Sequence, residues 1–266
     1  MDMPSNRFKH LIAHGGRVPL GCWLVSGSAV TAEAMGCAGY DFLVLDTEHT
    51  PIDMAGIAET LRTIEGTPAG VLVRLPWNDP VFVKRTLDAG AQSLMFPFIQ
   101  AADEARRAVA STRYPPEGVR GVAAVHRASR YGNVANYQKN AAAALCVVCQ
   151  IETLDALDRL PEIAAVPGVD ALFIGPADLS ASMGLLGNMA HPDVLAKLEQ
   201  GAQACRRLGK PVGIVGPTPE MVAKYVEFGF SWVALGSDIA LMVGRAHEWI
   251  AKLRAAAPSV GIRPAS

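Results

Sequence analysis

The feature that most constrains this chain is a rhythm. Eight short apolar runs, at residues 19–24, 40–45, 70–75, 93–99, 145–151, 171–174, 211–215 and 232–235, alternate with segments of helical periodicity. The intervening segments carry helix punctuation. Asp79-Pro80 offers an N-cap and a first-turn proline before Val83 and Leu87, with Gly90 as the stop. Asp53 precedes a stripe of Met54, Ile57, Leu61 and Ile64 that ends at Gly66, and Leu195, Leu198, Ala202 and Cys205 form another that ends near Gly209. Strands apolar on both faces, each followed by a helix, require a parallel sheet covered by helices. Eight such units in 266 residues predict an α/β fold of the (β/α)8 TIM barrel type, one domain over 1–266 with its core at about 19–256. The alternative, an open doubly wound sheet, is disfavoured because Gly27-Ser28-Ala29 follows the first strand where a dinucleotide fold places G-x-G-x-x-G. Residues 113–140 read as one long irregular loop, of a length that serves as a lid, a binding surface or a subunit contact.

Composition narrows the class of function. The 24 Lys and Arg balance 25 Asp and Glu, and basic residues occur at most in adjacent pairs such as Arg106-Arg107, so nucleic acid is not an expected partner. No run reaches the roughly 18 apolar residues of a membrane span, and residues 1–15 lack the apolar core of a secretion signal. We expect a cytoplasmic protein with its five cysteines reduced. Cys146 and Cys149 have C-x-x-C spacing, but a strand would turn them to opposite faces, which makes packing the expected role.

In a barrel, chemistry belongs at the C-terminal ends of the strands. There the chain places Asp46-Thr47-Glu48-His49 after strand two, Arg74 at the end of strand three, Gln150-Ile151-Glu152 at strand five and Gly175-Pro176-Ala177-Asp178 after strand six. Glu152 and Asp178 are hard oxygen donors on neighbouring strands, suited to Mg²⁺, Mn²⁺ or Co²⁺ with positions left for water and substrate. The competing reading is that both acids merely begin helices. His49, following Asp46 and Glu48, is a candidate base whose tautomer a carboxylate could fix, Asp46 being the simpler local partner, or else a surface histidine opening a βα loop; Arg74 is a candidate stabiliser of an enolate or carboxylate, or else a structural partner of Asp46 or Glu48. No lysine ends one of these strands, which favours a metal over a Schiff base. Arg120, His126, Arg127 and Arg130 are expected either to receive a distal carboxylate or to form a solvated basic loop.

The strings Gly39-Tyr40-Asp41-Phe42 through Asp46-Thr47-Glu48-His49, Val73-Arg74-Leu75-Pro76-Trp77-Asn78-Asp79, Arg113-Tyr114-Pro115-Pro116 with Gly118-Val119-Arg120-Gly121, Gln150-Ile151-Glu152-Thr153, and Gly175-Pro176-Ala177-Asp178-Leu179-Ser180 resemble the HpcH/HpaI family of class II pyruvate aldolases. The likeness runs from about Gly21 to the last helix. It implies cleavage of a 2-keto-4-hydroxy acid, such as a 2-keto-3-deoxy sugar acid or dicarboxylic acid, to pyruvate and an aldehyde. It also implies a metal on Glu152 and Asp178; pyruvate held by Gln150 and the backbone of Ala177 and Asp178; Arg74 on the enolate; and His49 as base. The family's basicity-raising aspartate matches Asp88, which the helix-to-strand-four topology puts at the opposite end of its own barrel, so that a neighbouring subunit or an unusual loop is needed if Asp88 takes part. A homohexamer that exchanges its last helix is implied too, and the apolar Ile239, Met242, Trp249, Ile250 and Leu253 are compatible with that or with ordinary barrel closure. An acyl-CoA lyase of the citrate-lyase β type and a non-catalytic carboxylate-binding barrel are the alternatives.

Overall fold

The computed structural model describes residues 1–13 and 16–256; residues 14–15 and the last ten positions of the expected 1–266 domain lie outside the described residues. A short helix, α1 (Arg7–Ala13), comes first. Then follow β1 (Leu20–Leu24) and α2 (Ala29–Cys37), β2 (Phe42–Asp46) and α3 (Met54–Glu65), β3 (Gly70–Arg74) and α4 (Pro80–Asp88), and β4 (Ser93–Phe96) and α5 (Ala102–Thr112). The second half begins with α6 (Tyr137–Ala144), β5 (Cys146–Ile151), α7 (Leu154–Asp158), α8 (Leu160–Ala164), β6 (Ala171–Ile174) and α9 (Pro176–Ser182). It ends with α10 (Pro192–Arg207), β7 (Val212–Gly216), α11 (Pro219–Phe228), β8 (Trp232–Ser237) and α12 (Asp238–Ala256). Each strand pairs in parallel with the next and β8 returns to β1, so the sheet closes. All eight expected runs are strands.

Alternation along the strands sorts the core into two layers. One set of side chains, including Leu43, Leu45, Val73, Val147, Cys149 and Ile174, packs outward against the helices. The other fills the barrel with Trp23, Phe42, Val44, Leu72, Met95, Cys146, Val148, Phe173 and Trp232. Cys146 and Cys149 therefore face opposite ways, both buried and free. Continuing the inward register past Val44, Leu72 and Val148 brings Asp46, Arg74 and Gln150 to the top of the barrel.

The opposite end is sealed by α1, which lies outside the core expected at 19–256. Phe8 is fully buried, edge-on to Phe42 at 5.2 Å and to Trp232 at 5.2 Å, the first residues of β2 and β8. Such aromatic pairs add to area burial. Space for these rings comes from Gly21 and Gly213, where a Cβ would run into Phe42 and Trp232. At the other end, Asp238 opens α12 and accepts from the amides of Val25 (2.9 Å) and Ser26 (3.3 Å), tying the last helix to the end of β1.

The helix caps match the sequence pattern: Asp53 accepts from Gly56 N, and Asp79 from Val81 N and Phe82 N. Two boundaries differ. The run at 93–99 stops as a strand at Phe96, because Pro97 has no amide hydrogen for the ladder and Phe98 turns left-handed at φ 54°. The loop expected at 113–140 is shorter, since α6 starts at Tyr137 and Arg127–Ser129 forms a 3-10 turn.

Candidate active site

Asp46 and Arg74 are direct neighbours in the β2–β3 register, and their side chains meet. Arg74 donates from Nε to Asp46 Oδ1 at 3.0 Å and from Nη2 to Oδ2 at 2.8 Å, a bidentate pair that is almost fully buried. Its Nη1 lies 2.9 Å from Glu48 Oε2, and its guanidinium sits over the Trp23 ring at 4.3 Å. Two carboxylates and an aromatic floor thus fix the cation at the mouth. Asp46 also accepts from the amides of Glu48 (3.0 Å) and His49 (3.4 Å), which shapes the turn after β2.

His49 lies in the open. Its side chain is 66% exposed and Nε2 is 3.9 Å from Glu48 Oε2, so its nearest carboxylate is Glu48. This corrects the pairing expected from sequence. Both Asp46 oxygens accept from Arg74, and Oδ1 accepts from the Glu48 and His49 amides as well.

Glu152 is buried just beyond the end of β5. Thr153 caps α7 through Ala156 N, so Glu152 is free of the capping role weighed against it. Its Oε1 accepts from Phe98 N at 2.7 Å and its Oε2 from Gln150 Nε2 at 2.6 Å. Gly175 makes this packing feasible: a Cβ there would lie 2.7 Å from Glu152 Oε2 and 3.2 Å from Gln150 Nε2. Burial pushes the Glu152 carboxyl up to about 7, helped by the charges of Glu48 and Asp178, while the Phe98 amide and Gln150 oppose the rise. Burial also raises Glu48; Arg74 opposes this, and Asp46 and Asp178 add to it. Four carboxylates, Asp46, Glu48, Glu152 and Asp178, therefore share one region with the Arg74 guanidinium.

Asp178 lies in the first turn of α9, whose N-cap Gly175 supplies no side-chain acceptor. The amides of Ala177 and Asp178 at that helix start have no partner within the helix. Gln150 leaves Oε1 buried and unpaired. Among the described residues no group of three or more His, Cys, Asp or Glu encloses a metal position. A hard ion needs no such cage: Glu152 and Asp178 fit it as two anionic oxygen donors in a region of surplus negative charge, with the remaining positions left to water or substrate.

Asp88 is elsewhere. It ends α4, on the side where strands begin, and binds Arg120 Nη2 at 2.7 Å with His126 Nε2 at 3.9 Å. Arg127 and Arg130 pair with Glu65 at the end of α3. None of these loop cations faces the mouth of its own barrel, and Arg120 and His126 are buried, so for these two neither the distal-carboxylate role nor the solvated loop is met within this chain. A concavity of about 290 Å³ lined by Arg7, Glu65, Arg127 and Arg130 belongs to this lower end, and Asp46, Arg74, Glu152 and Asp178 are not among its lining residues. Sequence reasoning missed Trp23 beneath Arg74, the Phe98 amide and the need for Gly175. Only Trp23 left a signal, its inward parity on β1.

Comparison with known proteins gives a consistent result. Residues 19–244 match the family described as HpcH/HpaI aldolase/citrate lyase. The chain is 50% identical to a 2-dehydro-3,6-dideoxy-6-sulfogluconate aldolase of Pseudomonas putida, over 89% of this chain and 92% of that one. It is 42% identical to a 5-keto-4-deoxy-D-glucarate aldolase of Salmonella arizonae, over 88% and 91%. A crystal structure of an HpcH/HpaI aldolase/citrate lyase family protein from Burkholderia cenocepacia superposes with a TM-score of 0.91 at 39% identity, covering 94% of this chain and all of that one.

Proposed function

The chain belongs to the HpcH/HpaI aldolase/citrate lyase family, and from that premise we propose that it is a class II aldolase, cleaving a 2-keto-4-hydroxy acid reversibly to pyruvate and an aldehyde. The observation that carries this reading is the convergence at one barrel mouth of Glu152 and Asp178 with Arg74 and His49. Its curated relatives at 42–50% identity are named aldolases, which favours this class over the acyl-CoA lyase and non-catalytic alternatives. Those names also suggest the substrate: a keto-deoxy sugar acid of six carbons with a second anionic group at the far end.

Glu152 and Asp178 would hold a divalent ion, Mg²⁺, Mn²⁺ or Co²⁺, which would supply Lewis acidity at the pyruvyl end of the substrate. The amides of Ala177 and Asp178 at the start of α9 and the side chain of Gln150 hold that end in place. His49 takes the C4 hydroxyl proton, directly or through a water, with the Glu48 carboxylate 3.9 Å from its Nε2. As the C4 carbonyl forms, the C3–C4 bond breaks and its electron pair passes to C3 as the enolate of pyruvate. Arg74, held by Asp46 and Glu48, offsets the charge that develops on the enolate oxygen. The aldehyde leaves, and C3 takes up a proton to give pyruvate.

The assembly in this reading is a cytoplasmic homohexamer that exchanges α12 between subunits. Participation of Asp88 in catalysis then requires that the lower end of a neighbouring barrel meet this mouth. No described helix is long and apolar enough to cross a membrane.

The test is pyruvate release from six-carbon 2-keto-3-deoxy acids ending in carboxylate, sulfonate or neutral hydroxymethyl, each with a saturating divalent ion. Faster turnover of the two anionic substrates supports the reading. Release from none of the three contradicts it.

A further inference from the structure

Phe98 is a non-glycine residue with its backbone at φ 54°, in the left-handed region that bulky side chains seldom occupy. Such a conformation persists where surrounding contacts hold it, and here three do. The ring stacks on Trp77 at 6.1 Å with the planes 27° apart. The next amide, Ile99 N, donates to Gln150 O at 3.1 Å, and the Phe98 amide itself donates to Glu152 Oε1 at 2.7 Å. Both rings are substantially solvent-exposed, 56% for Trp77 and 42% for Phe98, so their stacking adds little to the core.

What the turn accomplishes lies beneath the rings. Glu152 has two donors, the Gln150 amide group and the Phe98 backbone. Gln150 is a flexible side chain, whereas the Phe98 N–H is aimed by the backbone. The left-handed φ turns the chain after Phe98 so that Ile99 N also reaches Gln150 O, and the two successive amides together tie this turn to the end of β5.

We propose that Phe98 is a positioning residue for the metal site: its left-handed turn, clamped by the Trp77 ring, pins the Phe98 and Ile99 amides to the end of β5 and so fixes the Glu152 carboxylate for coordination. The inference rests on the assignment of Glu152 as a metal donor.

The experiment is calorimetric titration of the intact protein with Mn²⁺, without substrate, alongside its thermal midpoint. Phe98→Gly keeps an amide and tolerates positive φ, and its Mn²⁺ Kd should stay within about threefold of wild type. Phe98→Val disfavours the left-handed turn and should weaken Mn²⁺ by tenfold or more. Trp77→Ala removes the clamp from an exposed position and should weaken it severalfold, which keeps the test decisive if Phe98→Val fails to fold. In a Glu152→Gln background, Phe98→Val should have no further effect on Mn²⁺ binding. A merely structural role would lower the midpoint and leave the Kd unmoved in both Phe98→Val and Trp77→Ala, and that result overturns the proposal. If instead Glu152→Gln alone leaves Mn²⁺ binding intact, the metal assignment itself falls.

Discussion

Glu152 carries two opposed demands: its burial favours the neutral carboxyl, and coordination requires the anion. Because the folded value is raised to about 7 from 4.5, the carboxyl contributes stability that is complete below about 4.5 and is lost as pH rises through about 7. Metal-free protein should therefore lose a few kcal/mol of stability over that window, and Glu152→Gln should flatten the slope in urea melts run from pH 5 to 8. Added Mn²⁺ should reverse the trend, since the ion binds the form that high pH favours. An unchanged slope in the variant would remove Glu152 as its source. Arg74 poses the same kind of question. With Asp46 and Glu48 both on it, Arg74→Lys loses the bidentate fork, and kcat should fall at least 100-fold with the fold intact by circular dichroism. A fall of less than threefold would make Arg74 a structural cation only. At this scale much of the site was legible, because inward parity and strand-end position single out Asp46, Arg74, Gln150 and Glu152. The partner of His49 was not, since Asp46 and Glu48 both lie within three residues of it and only the β2–β3 register hands Asp46 to Arg74.

The elements explain why the barrel could be read and where it could not. Eight apolar runs with capped helices between them leave one economical closure, and Asp53, Asp79 and Thr153 cap α3, α4 and α7. The helix α1 escaped detection because seven residues with one buried side chain carry no period; Phe8 matters through the hole it fills. The strand after Ser93 was read too long because Ile99 continues the apolar pattern, while Pro97 and the left-handed Phe98 end the ladder. Two glycines test this level. Gly175→Ala places a methyl against Glu152 and Gln150, so Mn²⁺ affinity and kcat should each fall at least tenfold while the thermal midpoint moves little. Gly213→Ala drives a methyl into the Trp232 ring at the other end of the barrel, and overpacking of about 1–3 kcal/mol should lower the midpoint without altering Mn²⁺ affinity. If the two variants gave the same pattern, the separation of a catalytic end from a structural end would be wrong.

Across the whole molecule, α12 exposes Leu241, Met242, Trp249, Ile250 and Leu253, an apolar face on a helix whose described packing is against β1 and β8. The hexamer reading places this face against another subunit; Trp249→Glu with Leu253→Glu should then lower the mass seen in sedimentation, and an unchanged mass would count against α12 as the contact. Asp88, Arg120 and His126 gather at the lower end of the barrel, the end that the helix-to-strand-four topology gives Asp88, so that in this picture they meet a mouth only on a neighbouring subunit. A single sequence cannot show which chain's mouth a side chain meets. The central claim, that this mouth makes the enolate of pyruvate, is tested most directly without any aldehyde. Pyruvate incubated in D2O with the metal-restored protein should lose its methyl proton signal far faster than in buffer, and Glu152→Gln or EDTA should abolish the exchange. Absence of exchange in wild-type protein shown to bind both metal and pyruvate would contradict the account.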